Sequence, residues 1–306
     1  MAAREWLKST VALLLASVPL GAQQRQVDTM GDTTVAQVRG PSGAEFWTPF
    51  GSFFLPGLGQ YIRGAPWVGL GYSATAVVGV IAGADAPDLA DLPRDAHDQF
   101  ELGALHVAGT AGMLSAWDAF HRPMQAHRAA GKYSFLTEDE DLGDLLTAPF
   151  DVRFLGRWTT WIDLTFTGFV TAWVLENRNE GAPHPRLRGH DVAFTGSLSL
   201  NAAVGEEALF RGWLLPMLTQ KTGGRFWLAN SLQAALFGGL HASQADTFAY
   251  AIGIGALYNG WLTRRNDWSI REVIFQHFWY DVAVVTAELL RDDARTVTLM
   301  PISLRF

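Results

Sequence analysis

Apolar positions along this chain gather into stretches of near-membrane length, separated by polar, charge-bearing breaks. The stretches run from Pro66 to Ala84, Leu102 to Phe120, Trp158 to Leu175, Val192 to Leu218 with an acidic interruption, Phe226 to Ala242, Phe248 to Leu262, and Val273 to Leu290. A helix needs about 20 mostly apolar residues to cross the hydrocarbon of a bilayer, so the pattern predicts an all-α, polytopic transmembrane helical bundle. A further stretch, Phe46 to Tyr61, is broken by Pro56-Gly57 and is predicted to cross or re-enter, which sets the expected count at seven or eight spans. Gly79 and Gly83, Gly109 and Gly112, and Gly253 and Gly255 are expected at helix contacts, where small residues let backbones approach.

The N-terminus carries Arg4 and Lys8, then an apolar run from Val11 to Leu20, then Gly21-Ala22 before polar Gln23-Gln24. A cationic start, a short apolar region and small residues at a polar break are the pattern of a secretory signal peptide over residues 1–22. Residues 23–45 read as a polar linker, 46–157 as an N-terminal membrane region, 158–290 as the membrane core that holds the candidate chemistry, and 291–306 as a tail.

Loop charges orient the bundle. Asp85, Asp88, Asp91, Asp95 and Asp98 face a lone Arg94 in one loop, whereas the next opens with Arg122, Arg128 and Lys132. Basic loops stay on the cytoplasmic side, which puts the first loop outside and the second inside. Lys221, Arg225, Arg264, Arg265 and Arg271 follow the same rule, and Arg178, Arg186 and Arg188 break it. A cleaved signal peptide would put residue 23 outside, yet this scheme needs the chain before Pro66 inside; the broken Phe46–Tyr61 stretch is the element able to reconcile the two. The acidic run Glu138 to Asp141, followed by Leu142, Leu145 and Leu146, reads as a solvated cytoplasmic loop with an interfacial helix.

Composition narrows the chemistry. Hydrophobic residues make up 49% of the chain and charged residues 17%, against about 25% charged in an average soluble domain. A net charge of -7 removes any basic field for nucleic acid, so membrane lipid and a peptide or membrane-protein substrate are the expected partners. Cys is absent, which excludes disulfides, thiolate metal sites and cysteine nucleophiles.

The remaining charges are informative because an ionisable residue inside an apolar span is costly unless it is paired or faces a wet cavity. Glu206 and Glu207 precede Arg211 in one apolar stretch. On a helix Glu207 and Arg211 share a face and can pair, while Glu206 points roughly 100° away and is left available. His241 ends the next stretch, after Gly238-Gly239. His277 and Asp281 stand one helical turn apart in the last. A free carboxylate and an imidazole can take a proton from water, and a second imidazole with a hydrogen-bonding neighbour can support an oxyanion. Glu206, His241 and His277 also satisfy the ligand needs of a catalytic zinc ion, Zn2+, with one position left open. Residue types and spacing permit both mechanisms.

Glu-Glu-x-x-x-Arg at 206–211, Phe-x-x-x-His at 237–241 and His-x-x-x-Asp at 277–281 resemble the three ordered motifs of the CPBP intramembrane protease family, the type II CAAX prenyl endopeptidase and abortive-infection-like proteins. The resemblance covers about residues 190–290 and implies a helical membrane core in the bacterial cytoplasmic membrane. It also implies Glu206 and His241 as the water-activating pair, His277 and Asp281 as transition-state support, and Glu207 with Arg211 as an orienting pair. The prenyl endopeptidases carry Asn at the last position. Asp281 can donate to an oxyanion only when protonated, so it more naturally pairs with His277 or helps hold a cation, and the implied substrate shifts away from prenylated CAAX peptides.

Two other classes fit the same charges: a catalytically silent peptide-binding or immunity protein, and a proton-coupled transporter, although no inverted repeat is evident. In the first half, Pro56-Gly57-Leu58-Gly59-Gln60 reads as a turn before the first full-length helix. His106, Trp117 and Asp118 are candidates to line a cavity. His121, His127, His184 and His190 are expected in solvated loops.

Overall fold

The structure, a computed structural model, describes residues 44–84, 94–137, 139–176, 186–241, 248–291, 296–299 and 302–305. The expected leader at 1–22, nearly all of the linker, Glu138 and His184 lie outside the described residues. Helices dominate. In chain order they are α1 (Ala44–Phe54), α2 (Leu58–Ile62), α3 (Pro66–Ala84), α4 (Arg94–His121), α5 (Met124–Ala129), α6 (Leu142–Thr147), α7 (Trp158–Glu176), α8 (Gly189–Glu207), α9 (Leu215–Lys221), α10 (Phe226–Leu240), α11 (Phe248–Arg265) and α12 (Arg271–Arg291). A π-helical segment, Ala208–Leu214, joins α8 to α9. Two short 3-10 turns span Ala148–Phe150 and Val152–Gly156. The all-α expectation needs one amendment: Thr296–Leu299 and Ile302–Arg305 pair as an antiparallel hairpin, Thr296 opposite Arg305.

Each of the seven apolar stretches coincides with a helix. Among the described residues one helix, Pro66–Ala84, is long and apolar enough to cross a membrane by length and composition. Others fall short because they carry the polar side chains the bundle buries, such as Asp191, Glu206 and Glu207 on α8 and Glu272 and Gln276 on α12. Large apolar side chains lie on the outside as well as in the core, and charged and amide side chains are buried among them. Trp67, Val78 and Ile81 on α3, Ile162 and Phe169 on α7, and Trp227, Leu232 and Leu236 on α10 face outward, while Gln60, Gln99, Glu207, Arg211, Asn230 and Gln233 are buried. An apolar surface with polar groups buried beneath it is what a lipid solvent favours, since water is not there to reward the reverse.

One end of the bundle gathers the basic residues. Lys132 and Lys221 both pair with Glu45, Arg157 pairs with Glu272, Arg271 reaches Asp151, and Arg264 and Arg265 lie over the rings of Phe226 and Trp158. The acidic loop is partly tied into this end rather than solvated. Asp139 pairs with Arg128, Asp141 caps α6, and Glu140 accepts from Ser269 and from the backbone N–H of Ile270 at the start of α12. At the opposite end Gln99 of α4 donates to Asp191 of α8.

The broken stretch folds back on itself as a helical hairpin. α1 begins at Glu45 on the basic end and descends until the Phe53 carbonyl lies against Gly112 of α4. The chain turns at Gly57, whose φ of 97° favours glycine, and climbs back along α4 through Gly57 N–H to Ser115 Oγ at 2.8 Å and Gln60 Nε2 to Asp118 Oδ2 at 2.8 Å. The Pro-Gly-x-Gly-Gln turn thus locks the hairpin to α4. Asp118 belongs to that lock and to an ion pair with Arg122, and buried Trp117 packs in a core cluster with Tyr72, Val204 and Ile274.

Candidate active site

α8 carries two carboxylates to the middle of the bundle, with Glu206 roughly 20 Å from Lys221 at helical rise. The helix then widens into the π segment. A π turn breaks the i→i−4 ladder and leaves carbonyls to be satisfied by other groups. Gly212 O is satisfied by His121, whose Nε2 donates to it at 3.0 Å. His121 is therefore a half-buried α4 residue packed against Trp117, not a solvated loop histidine. His127 is likewise packed against Phe120 and Tyr133, and His190 lies 3.5 Å from Asp191.

The π segment also aims Arg211. Its Nη1 donates to Glu207 Oε1 at 3.0 Å, and its guanidinium lies 4.5 Å from the Phe237 ring centroid. Both Glu207 and Arg211 are buried. Glu207 Oε1 takes a second hydrogen bond from His277 Nδ1 at 2.7 Å. One carboxylate oxygen thus fixes both a cation on its own helix and an imidazole on α12.

Glu206 is held differently. Its contacts are the two imidazoles, His241 Nε2 at 4.0 Å and His277 Nε2 at 3.9 Å. Both rings are anchored through the other nitrogen, His241 by donating from Nδ1 to Phe237 O at 2.7 Å and His277 through Glu207. Since a carbonyl only accepts, His241 Nδ1 carries a proton, and in the neutral tautomer the Nε2 lone pair is turned toward Glu206. Asp281 Oδ2 stands 3.4 Å from His277 Nε2. Glu206, Glu207, Arg211, His241, His277 and Asp281 are therefore all brought together, drawn from three helices and the π segment.

Pattern reading missed the groups that hold these helices in register. Asn230 and Gln233, two turns and one turn before Phe237, are buried and donate to Leu257 O at 2.9 Å and Ala256 O at 3.0 Å, tying α10 to α11. Arg211 Nη2 donates to the same Ala256 carbonyl at 3.5 Å. Two amides on an otherwise apolar helix were the available signal. Glu272 and Gln276, one turn apart and just before His277, were the same signal on α12. Asp163 on α7 is a further ionisable residue in an apolar stretch.

Glu206, His241 and His277 are the residues that would hold a zinc ion, and they stand wider apart than bound ligands would. Ligands at zinc-bonding distance on a tetrahedron sit about 3.4 Å apart, whereas the Glu206–imidazole distances are 3.9 and 4.0 Å. Among the described residues no group of three His, Asp or Glu is placed to hold a metal ion. The gap suits a water molecule instead, since a polar separation beyond about 3.5 Å is a bridging distance.

Residues 188–283 match a family model described as type II CAAX prenyl endopeptidase Rce1-like. The matched segment contains every residue of the constellation, and the match supports proteolytic chemistry and a membrane location. No curated protein and no solved structure matches the chain.

Proposed function

We propose that the chain is a multi-pass intramembrane endopeptidase of the bacterial cytoplasmic membrane, hydrolysing peptide bonds with a water activated by Glu206 and His241. The observation that carries this reading is the pair of anchored imidazoles presented to a carboxylate that makes no direct hydrogen bond among the described residues. Glu206 takes a proton from the bound water while His241 Nε2 accepts its second hydrogen as a hydrogen bond. The hydroxide adds to the scissile carbonyl carbon. Negative charge develops on the carbonyl oxygen, where His277 Nε2–H donates. His277 is suited to that task because carboxylates flank both of its nitrogens. Glu206 then returns the proton to the leaving nitrogen and the C–N bond breaks. Asp281 and the Glu207–Arg211 pair fix the His277 ring, so Asp281 acts through the imidazole rather than on the oxyanion. That role favours a peptide substrate other than a prenylated CAAX end.

The test is mass spectrometry of products from a membrane-peptide library incubated with purified protein. Glu206→Gln and His241→Ala are each expected to lower kcat by at least 100-fold with the helical circular dichroism unchanged. Wild-type cleavage rates in both variants would overturn the site assignment. Peptide binding without any cleavage by the wild type would instead favour the silent binding protein, and loss of activity with chelator followed by rescue with zinc would replace the carboxylate mechanism by a metal one.

A further inference from the structure

α7 turns a polar residue toward the bundle at every fourth position: Thr159, Asp163, Thr167 and Thr171. At the basic end this row is closed. Glu272 accepts from Arg157, Thr159, Thr160, Asn266 and Gln276, which saturates its lone pairs. Beyond that hub the pairing stops. Gln276 Oε1, Asp163 Oδ2, Thr167 Oγ1 and Thr171 Oγ1 are buried atoms without a hydrogen-bond partner among the described residues.

The two threonines make the point sharply. A helical Thr normally settles its hydroxyl on the carbonyl four residues back, as Thr75, Thr165, Thr219 and Thr263 do here. Thr167 and Thr171 forgo that bond. A bare buried polar atom costs about 1–3 kcal/mol, and such groups in native proteins are satisfied by protein or by ordered water. The inner end of the row reaches the candidate site. Gln276 immediately precedes His277, and its Nε2 donates to Thr160 Oγ1 of α7 at 3.5 Å. Toward the other end, α7 runs past Thr171 to Glu176, away from the basic face.

We propose that the α7–α12 interface is a hydrated seam that supplies water to Glu206, entered past Thr171 from the end of the bundle opposite the basic face and closed at the basic end by the Glu272 hub. The seam rests on the hydrolase reading for its purpose, since each peptide bond broken consumes one water at a site deep in the bundle.

The natural chain has no cysteine, so each single-cysteine variant carries one thiol. Thr167→Cys, Thr171→Cys and, as a lipid-facing control, Phe169→Cys (wild-type Phe169 is 70% exposed) are placed in oriented vesicles. They are treated with a membrane-impermeant methanethiosulfonate from either side. Modification of positions 167 and 171 from the side opposite the basic face, at least tenfold faster than position 169, is expected. Rates no faster than at position 169, or modification from the basic side alone, would overturn the seam. In parallel, isosteric Thr167→Val is expected to lower kcat about tenfold with KM unchanged, while Thr165→Val, whose hydroxyl is settled on Trp161 O, leaves both unchanged. Equal kcat in Thr167→Val and wild type would also overturn it. Wild-type protein that cleaves nothing would sink the hydrolase reading alone, because the thiol labelling decides the seam without any substrate.

Discussion

Glu206 and Glu207 are sequence neighbours with opposite duties, and their contacts predict opposite responses to mutation. Glu207 Oε1 bonds Arg211 and His277 inside the bundle. Removing one partner of a buried pair costs about 3–5 kcal/mol, because the remaining charge is left in a poor solvent. Arg211→Met is therefore expected to lower unfolding stability by about that amount, read by thermal or denaturant unfolding in detergent. Glu207→Gln combined with Arg211→Met should recover part of the loss, and a double variant no better than the single would refute the pairing argument. Glu206 makes no such bonds, so Glu206→Gln is expected to leave the midpoint of unfolding unchanged or raise it while abolishing cleavage, as groups kept for function often cost stability. The Glu207–Arg211 pairing was legible from spacing alone, as were the His277–Asp281 turn and the availability of Glu206. The bond from His277 to Glu207 was not, since it depends on how two distant helices rotate about their axes. The hydrogen bond of His121 to Gly212 O and the ring packing of His127 were missed for the same reason: a histidine at a helix end looks solvated until its neighbours are placed.

At the level of elements, helix contacts depend on a few close approaches. A Cβ at Gly260 of α11 would stand 1.9 Å from Asn230 Oδ1 of α10, and Asn230 is the residue that donates to Leu257 O. Gly260→Ala is expected to cost about 1–3 kcal/mol by overpacking. Its effect should be non-additive with Asn230→Ala, which makes room for the new methyl. Additive losses in a double-mutant cycle of unfolding free energies would show that the two helices do not meet there. Of the glycines that the pattern marks as contact points, a Cβ added at Gly79 would stand 2.7 Å from Ala104 O and one at Gly112 2.4 Å from Phe53 O. A Cβ at Gly109 or Gly255 would meet nothing within 4 Å among the described residues. Gly205, Gly212 and Gly260 make close contacts that the pattern did not mark, because a glycine inside a charged or aromatic motif does not stand out as a small-residue stripe. The π segment was equally invisible, since nothing in Ala208–Leu214 distinguishes a widened turn from an ordinary one before Arg211 finds Phe237.

For the whole molecule, the two ends differ in a way a bilayer can read. Trp47, Trp67, Trp158, Trp161 and Trp227 are exposed at the helix ends that also hold Lys132, Arg157, Lys221, Arg225, Arg264 and Arg265. Amphipathic indoles prefer the headgroup level, and basic loops remain in the cytoplasm, which predicts that this end is the cytoplasmic face. The α1–α2 hairpin starts and returns on that face, which places Glu45 there too. No apolar stretch of membrane-crossing length separates it from the leader pattern, so a cleaved leader and a cytoplasmic basic face cannot both hold. The exceptions Arg186 and Arg188 lie at the opposite end, where the Arg188 backbone N–H donates to Asp191 at 2.7 Å as part of the start of α8. Arg225→Cys and Arg186→Cys replace exposed residues at the two ends in a chain with no native thiol. In intact cells an impermeant maleimide is expected to modify position 186 and spare position 225. Inverted vesicles should show the reverse. Labelling of position 225 in intact cells would invert the bundle, moving the seam's mouth to the cytoplasm and making Arg186 and Arg188 the rule rather than the exception.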